Sequence, residues 1–507
     1  MGQIQPSIAH YYHERTKYEP ETIGAKSQSI DWATQPVPFK EYKIGKSFDL
    51  KPYLKSEPTL SENPSTEEWW GRLSRLLLCS YGLTARLPTI SGEDLYLRAA
   101  PSAGGLYPAE VYLISRGTSV LPSGIYNYQP KTHSLLRFWE SNAWQTLKTA
   151  CFSDPVWEIA DIALVTTAIF QRSAWRYQDR AYRRMCLDTG HLLGNIELAA
   201  AINQFRPYLI GGFVDEGVNQ LLYLDSQQEG GITVIPLVDL LAVNLNLPAS
   251  RTVLPSPTQT EYPKIRDGEL LEYFHKATQI VELLSPTEGL TNAIEDKYNF
   301  PFCLKVSTAC ETINWAENLS QLEATILNRR STRAYSGAEI EWDELKAILN
   351  FTYQPHHYVA QGLDAHPDYF ALDLIETFIA VSGVNGLEDG CYYYAPQARE
   401  LRQIRFKNFR RELHYLCLGQ ELGRDAAAVV FHTADLKKAV AKYGDRVYRY
   451  LHLDAGHLGQ KLNLAAIYLN LGVSGIGGFF DNQVNQVLDI PTDEAVLYIT
   501  TIGKLIS

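Results

Sequence analysis

Hydrophobic and polar positions follow the same pattern in two separate halves of the chain. Each half contains an apolar run of a strand's length, "AEVYLIS" from Ala109 or the stretch from Glu376, and then a second short run across turn residues. A long segment follows, near 177–204 or 443–471, in which apolar residues recur every three or four positions, as on one face of a helix. Each half ends on another apolar run, "GITVIPLV" or "AVLYITTIG". Strands and helices mixed in this way predict an α+β fold.

The two halves also share their sequence. "IGGFVDEGVNQLL" begins at Ile210, and "IGGFFDNQVNQVL" begins 266 positions later at Ile476. The same offset relates "RYQDRAYRRMCLDTGHL", from Arg176, to "KYGDRVYRYLHLDAGHL", from Lys442. This period is far too long for a solenoid, so it indicates one fold used twice. The aspartates that follow Gly-Gly-Phe-x, Asp215 and Asp481, are expected to be helix N-caps.

The repeat predicts four segments along the chain. They are an N-terminal arm (1–65), a first copy of the fold (66–244), a linker arm (245–318) and a second copy (319–507). The linker begins with a proline-rich connector at 245–263, and the residues after it show no twin in the first half. We expect this linker to pack across the two halves.

Composition narrows the classes of function. The 507 residues carry a formal net charge of -11 without a dense basic run, which argues against nucleic acid or an anionic membrane as the main partner. The seven cysteines are scattered and never form C-x-x-C, so neither a disulfide framework nor a metal site is expected. No apolar run approaches the roughly 18 residues of a membrane helix. A reducing cytoplasm fits this composition best.

Chemistry is expected where the two copies differ, because shared residues can be retained by packing alone. Residues 101–108 read "PSAGGLYP", whereas their counterpart "PDYFALDL" (367–374) contains no glycine. Conversely, "NRRSTRAYS" (328–336) opens the second copy, where the first copy has "ENPSTEEW" (62–69), with carboxylates in place of guanidiniums. Each half therefore holds something that the other lacks.

These motifs resemble the flavin-dependent nitroreductase superfamily. "RAAPSAGGLYPAE", "KYGDRVYRY", "LDAGHL" and "GGFFD" are similar to its SagB-type, thiazoline oxidase-like branch. The resemblance covers most of both halves and implies FMN held between two subunits of an obligate dimer. A tandem chain would supply both subunits itself, as an intramolecular pseudo-dimer with the nitroreductase-like fold duplicated.

The resemblance also implies the residues of one flavin site. Guanidiniums and a hydroxyl suit a phosphate dianion, and glycines allow backbone to approach a planar ring. The second copy would supply Arg329, Ser331 and Arg333 for phosphate, ribityl and the N1–O2 edge, Gly477 and Gly478 near N5, and Lys504 on the phosphate side. The first copy would supply Pro101, Ser102, Ala103 and Gly105. The reciprocal site would present carboxylates to a dianion and bulky side chains to the ring, so we expect one FMN per chain.

Other ionisable residues divide into one candidate base and several structural groups. Related azoline dehydrogenases are thought to use a Lys-Tyr pair to remove a proton, so Lys442 or Tyr443 is the candidate base. In the first copy the lysine is replaced by Arg176, which cannot serve as a neutral base. His191 and His457, in "LDxGH", are expected to make hydrogen bonds at the central interface.

The resulting prediction is an FMN-dependent oxidoreductase that passes hydride between a reduced nicotinamide or a substrate carbon and FMN. NADH or NADPH is a candidate electron donor, and the substrate is a small molecule or a modified peptide. Oxidation of azolines to azoles in such a peptide is the first alternative. The second is a non-catalytic scaffold with a degenerate flavin site. Whether the chain forms a further homodimer stays open.

Overall fold

The computed structural model describes residues 5–26, 30–54, 64–88, 94–243, 247, 251–283 and 294–506. The strands are β1 (Lys46–Asp49), β2 (Leu83–Pro88), β3 (Asp94–Arg98), β4 (Ala109–Ser115), β5 (Gly124–Gln129), β6 (Ser134–Trp139), β7 (Ile162–Ile169), β8 (Phe205–Pro207), β9 (Glu229–Asp239), β10 (Lys305–Ser307), β11 (Ile340–Glu341), β12 (Glu376–Val381), β13 (Val384–Asn385), β14 (Gly390–Ala395), β15 (Glu400–Phe406), β16 (Ala428–Asp435), β17 (Leu471–Ile476) and β18 (Glu494–Lys504).

The α-helices are α1 (Ile8–Thr16), α2 (Ile23–Lys26), α3 (Thr66–Tyr81), α4 (Trp144–Ala150), α5 (Phe170–Tyr177), α6 (Ala181–Ile202), α7 (Asp215–Leu221), α8 (Leu270–Ala277), α9 (Ser320–Asn328), α10 (Trp342–Tyr353), α11 (Arg410–Leu416), α12 (Glu421–Asp425), α13 (Leu436–Tyr443), α14 (Val447–Tyr468) and α15 (Asp481–Leu488). Within the ranges above, none of these helices combines the length and the apolar composition that crossing a bilayer requires.

Each half is built on a seven-stranded antiparallel sheet with the same strand order. The first sheet runs β1-β6-β5-β4-β7-β9-β8, and the second runs β10-β15-β14-β12-β16-β18-β17. The central strands are buried on both faces. In the first half, α3 and α6 pack on one face of the sheet, and α4 and α7 pack on the other. The expected duplication of an α+β fold is confirmed.

The two halves meet along the long helices α6 and α14. Gly190 and Gly456, the glycines of "LDTGH" and "LDAGH", lie where these helices cross. A Cβ atom on Gly190 would stand 2.1 Å from the carbonyl oxygen of Leu453, and one on Gly456 would stand 2.2 Å from that of Leu187. The repeated motif is therefore explained by close backbone contact across the pseudo-twofold axis.

Buried arginines of each half bind an aspartate of the other. Asp481 accepts hydrogen bonds from Arg180 at 2.8 Å and from Arg183 at 2.7 Å. Asp215 is held in the same way by Arg446, at 2.7 Å, and by Arg449, at 3.4 Å. The conserved spacing of "DRAYR" and "DRVYR" in the two copies thus serves the interface between them.

The prediction that Asp215 and Asp481 are N-caps is wrong by one residue. The cap positions are Val214 and Phe480, and neither makes a side-chain capping bond. The aspartates occupy the first helical position, where a negative charge is favourable, but their carboxylates are engaged by arginines of the opposite half.

The repeat begins earlier in the chain than the sequence indicated. Strand β10 pairs with β15 as β1 pairs with β6, and Lys297 binds Glu494 as Lys40 binds Glu229. Helix α8 is the twin of α1 as well. The rings of Tyr12 and Phe274 stack between them with centroids 4.4 Å apart. The expectation that the segment up to 318 has no twin is therefore wrong.

Candidate functional site

A cleft of about 1270 Å³ lies between the two halves. The motifs that differ between the copies meet there: its walls include Pro101, Ser102, Ala103, Ser331, Arg333, Gly477 and Gly478, together with Tyr177, Arg184 and Asp188. The arm that follows α1 and the residues just before α8 form the rim. Seven of the predicted cofactor residues are thus gathered from both copies.

The loop that begins at Pro101 and Ser102 (the Pro-Ser loop) is held in place by Asp188 of α6. The hydroxyl of Ser102 donates to the Asp188 carboxylate at 2.5 Å, and the backbone N–H of Ala103 donates to it at 3.1 Å. Burial raises the pKa of Asp188 to about 7, although these hydrogen bonds lower it. Gly104 has φ of 67°, and a Cβ atom there would stand 2.9 Å from the Tyr177 hydroxyl, so the loop requires glycine at this position.

The loop that contains Gly477 and Gly478 (the Gly-Gly loop) reaches the cleft at the end of β17. Arg180 donates to the carbonyl oxygen of Gly477 at 3.4 Å and fixes the loop from the other half. Among the described residues, the backbone N–H groups of Gly477 and Gly478 meet no hydrogen-bond acceptor. A Cβ atom on Gly477 would meet the guanidinium of Arg184 at 2.3 Å. Two backbone donors therefore remain available at residues that carry no side chain of their own.

The Arg-x-Ser-x-Arg segment divides into a structural and an accessible part. Arg329 is buried and donates to the carbonyl oxygens of Ala99 at 2.7 Å and Arg98 at 3.2 Å, which binds this segment to the base of the Pro-Ser loop. Burial lowers the pKa of Arg329 to about 10, so it remains charged at neutral pH. Ser331 and the exposed Arg333 line the cleft. Of the predicted phosphate ligands, these two therefore face it directly.

Five predicted residues do not line the cleft. Gly105 lies in the turn of the Pro-Ser loop, Arg329 is buried behind that loop, and Lys504 is half exposed, 3.6 Å from Glu344. Lys442 and Tyr443 lie on the opposite side of the pseudo-dimer, where Lys442 binds Asp373 at 2.6 Å. Their counterparts Arg176 and Tyr177 line the cleft instead.

The assignment of Lys442 and Tyr443 as the base is corrected for a geometric reason. Helices α5 and α13 end in the two basic-Tyr pairs, Arg176-Tyr177 and Lys442-Tyr443. Each helix lies beside the Pro-Ser loop position of its own copy: Tyr177 lies against Gly104, and Lys442 binds Asp373. Because the intact Pro-Ser loop belongs to the first copy, its partner is Arg176-Tyr177. The Lys-Tyr pair lies beside "PDYFALDL".

The equivalent position on the opposite side is filled. The ring of Phe370 and that of Tyr450 come within 2.8 Å and 2.7 Å of the place where Gly211 would carry a Cβ atom. The backbone N–H of Gly211 donates to the carbonyl oxygen of Thr252 at 2.8 Å, and the side chain of Leu254 covers Gly212. Linker residues Thr252 and Leu254 thus lie against the Gly-Gly motif of the first copy.

In the first copy, carboxylates and the start of a helix replace the Arg-x-Ser-x-Arg segment of residues 329–333 (the cation loop). Ser65 caps α3 and forms a capping box with Glu68, and Glu67 lies in the same first turn. Glu62 and Asn63 lie outside the described residues. In addition, Glu197 takes the position of Asn463 and binds His457 at 2.6 Å and Lys461 at 3.0 Å.

The histidines of "LDxGH" make the interface contacts that were expected. His457 reaches Glu197 across the two long helices, and His191 approaches the hydroxyl of Tyr498 in the other half at 3.2 Å. Burial lowers the pKa of His191 to about 4. Across the described ranges, no three His, Cys, Asp or Glu side chains are grouped as a metal site would require.

Sequence reasoning did not identify Asp188, Tyr177 or Arg184 as part of the site. Asp188 and Tyr177 are identical in both copies, so comparing the copies gave no signal for them. Arg184 is different, because its counterpart is Tyr450 within the similar stretches "DRAYRR" and "DRVYRY", whose other difference is the small apolar exchange of Ala181 for Val447. The change from arginine to tyrosine could have drawn attention to it.

Comparison with known proteins agrees with this architecture. The profile of the nitroreductase family matches residues 73–235 and 326–504. A candidate nitroreductase of Methanocaldococcus jannaschii is 31% identical over 186 residues, which cover 37% of this chain and 92% of that protein. The microcin B17-processing protein McbC of Escherichia coli is 29% identical over 146 residues, 28% of this chain and 52% of McbC.

A solved structure extends the similarity to both halves. The crystal structure of a candidate nitroreductase from Anabaena variabilis is 66% identical, covers 99% of this chain and 100% of its own, and superimposes with a TM-score of 0.93. The resemblance to the nitroreductase superfamily is confirmed, and the similarity to McbC supports the SagB-type branch. The chain therefore belongs to the nitroreductase family of oxidoreductases, with two copies of the family domain in one polypeptide.

Proposed function

We propose that the protein is an FMN-dependent oxidoreductase with a single flavin site made from both halves. The asymmetry of the two clefts carries this proposal. One cleft is open and gathers the Pro-Ser loop of the first copy with the cation and Gly-Gly loops of the second. The equivalent position is filled by Phe370, Leu254 and the carbonyl oxygen of Thr252.

The residues of the open cleft fit FMN in charge and in shape. Arg333 and Ser331 offer a guanidinium and a hydroxyl to a phosphate, and the described residues provide no carboxylate that pairs with Arg333. Gly477 and Gly478 offer two backbone N–H donors at residues that carry no side chain of their own. The volume of about 1270 Å³ is larger than a typical ligand site of about 300–1,000 Å³, so it leaves room for a substrate beside the cofactor.

FMN, when bound, supplies reversible two-electron chemistry at a planar ring. The N–H groups of the Gly-Gly loop would stabilise negative charge that develops there. Asp188, whose pKa burial raises to about 7, holds the Pro-Ser loop and can bind a proton near neutral pH. Arg176 presents a guanidinium, which would attract anions rather than remove a proton. NADH or NADPH is the electron donor in this proposal.

Oxidation of an azoline in a modified peptide is the second candidate. The similarity to McbC, named as a microcin B17-processing protein, favours it. The lysine of the Lys-Tyr pair is replaced at the open cleft by Arg176, so proton removal would fall to Tyr177. A Tyr177→Phe variant that loses azoline oxidation but still reduces a quinone would support this candidate, whereas equal loss of both activities would count against it.

Reconstitution with FMN tests the main proposal. The purified chain should bind FMN, and the flavin absorbance should bleach when NADH or NADPH is added. Arg333→Met removes a charged hydrogen-bond donor worth about 2 kcal/mol, so it should weaken FMN binding about 30-fold. Arg116→Met, at an exposed arginine away from the cleft, is the matched control. Protein that retains no flavin after incubation with excess FMN and removal of the free ligand would instead support the scaffold hypothesis.

A further inference from the structure

Arg184 on α6 is a buried arginine that lacks an ion-pair partner. Its side chain lines the cleft and only 8% of the residue is exposed. Within the described ranges it makes no salt bridge or hydrogen bond, and its Nε atom is buried without a partner. A buried guanidinium without a counter-charge is costly, so its place in a ligand cleft requires an explanation.

The surroundings of Arg184 direct its guanidinium into the cleft. Its Cζ atom lies 3.8 Å above the ring of Tyr177, and its Nη1 atom lies against Gly477. Asp188 feels the charge of Arg184, which lowers the pKa of that carboxyl. Its oxygens, however, accept from Ser102 and Ala103, so Asp188 does not serve as the ion-pair partner.

The twin position shows that packing alone does not require an arginine. Tyr450 occupies the equivalent place on α14, where its hydroxyl donates to the carbonyl oxygens of Gly211 at 3.2 Å and Leu254 at 3.1 Å. There the tyrosine ring lies against Gly211 in the filled cleft. The charged side chain is therefore present only on the side that is open.

Other charges around the cleft also leave an excess of positive charge. The wall and rim carboxylates are engaged: Asp267 by Arg15, Glu14 by Lys17, and Asp179 by the backbone N–H groups of Gly268 and Leu271. Arg180 is neutralised by Asp481. For Arg176 and Lys264, which also line the cleft, the described part of the chain shows no ion pair. If Arg333 binds the flavin phosphate, Arg176 and Arg184 remain for a second anion.

We propose that Arg184, assisted by Arg176, binds the anionic group of a small substrate, such as an aromatic or unsaturated carboxylate. This inference rests on the proposed flavin function and adds a substrate class to it. The same chemistry could recognise the pyrophosphate of a nicotinamide donor. The deep position of Arg184, beside the Gly-Gly loop, favours the substrate, and the test separates the two sources by omitting nicotinamide.

The test uses the FMN-loaded chain, photoreduced without nicotinamide, and a matched pair of acceptors. Reoxidation by 4-nitrobenzoate, which carries a carboxylate, is compared with reoxidation by the neutral 4-nitrobenzamide. Calorimetric binding of benzoate and benzamide to the oxidised protein gives a second readout that does not depend on turnover. FMN content is measured first, because absence of flavin in the parent chain would reject the proposed function itself.

We expect the parent protein to prefer the two carboxylates. A charge-assisted hydrogen bond to a buried group is worth about 2–5 kcal/mol, so Arg184→Met should weaken benzoate binding and slow reoxidation by 4-nitrobenzoate by at least 30-fold. The rates with the amide should change less than about threefold. Arg184→Lys, which keeps the charge, should retain part of the preference, and Arg116→Met should match the parent.

Arg184→Leu supplies a second neutral variant, whose shorter, branched side chain differs in shape from methionine. It should fold, bind FMN and lose the preference as the Met variant does. Equal affinity of the parent for benzoate and benzamide would overturn the proposal. So would loss of FMN from both Arg184→Met and Arg184→Leu, which would make Arg184 a cofactor ligand. A defect that appears only when NADH or NADPH is the reductant would assign the arginine to the donor.

Discussion

The buried cluster of Asp481, Arg180 and Arg183 offers a demanding test of how the two halves are held together. Asp481→Asn keeps the shape of the side chain but removes its charge. Only 2% of Asp481 is exposed, and it accepts from both guanidiniums and, at 2.9 Å, from the backbone N–H of Tyr18. The substitution leaves two buried cations facing a neutral amide.

The magnitude follows from the loss of one partner in a buried pair, which costs about 3–5 kcal/mol. Asparagine keeps one acceptor oxygen, so we take the lower value of about 3 kcal/mol for the loss in free energy of unfolding. Burial raises the pKa of Asp481, but Arg180 and Arg183 lower it below the ordinary value. The stabilisation is therefore present above the unfolded pKa of about 3.9 and is lost as the pH falls through the folded pKa.

Urea unfolding followed by circular dichroism measures this effect, with Asp489→Asn as the matched control. Asp489 is the exposed C-cap of the same helix, where loss of a negative charge should change stability by less than about 1 kcal/mol. Asp481→Asn should lower the urea midpoint at pH 7, and its difference from the parent should narrow below pH about 4. Equal midpoints for the two variants at pH 7, or a difference that grows in acid, would refute the reasoning.

Three further predictions follow from the same contacts. Gly211→Ala should destabilise the chain by about 1–3 kcal/mol in urea, because its Cβ atom would meet the rings of Phe370 and Tyr450. Gly477→Ala should mainly weaken FMN binding, because its Cβ atom would meet only the end of the long side chain of Arg184. Equal stability losses would contradict this. Burial raises the pKa of Asp188 to about 7. The protonated carboxyl therefore stabilises the fold at low pH, and this contribution to the free energy of unfolding is lost between pH about 4 and 7. Asp188→Asn should flatten that decline, and an unchanged slope would count against the prediction. Phe370→Ala should cost about 3–5 kcal/mol without adding a second FMN, as titration with flavin can check.

The sequence predicted the duplicated fold because periodicity and identity agree over most of each copy. It missed the twin of the arms for a physical reason. The arms contribute few side chains to either sheet, and their shared residues, "YYHERT" at 11–16 and "YFHKAT" at 273–278, are kept by contacts with the interface. His13 meets Tyr448 at 3.1 Å, and His275 meets Tyr182 at 3.4 Å. The offset there is 262 positions rather than 266, so a fixed register does not reveal it.

The sequence predicted most residues of the candidate site, but it did not predict which basic-Tyr pair lies beside it. The two differing motifs indicated a hybrid cleft, and the structure brings Ser102, Ser331, Arg333 and Gly477 to one cavity. Which basic-Tyr pair faces that cavity depends on the packing of each pair beside the Pro-Ser loop position of its own copy, which no local pattern encodes. The role of Arg329 also depended on tertiary structure, because its donors are taken by backbone carbonyls of the other half.

The ratio of FMN to polypeptide tests the central claim most directly. The chain is saturated with FMN and freed of excess ligand. The flavin released by denaturation is then quantified against the protein concentration from amino-acid analysis. A hybrid site opposite a filled cleft predicts one FMN per chain. Two FMN per chain, or none, would contradict the account.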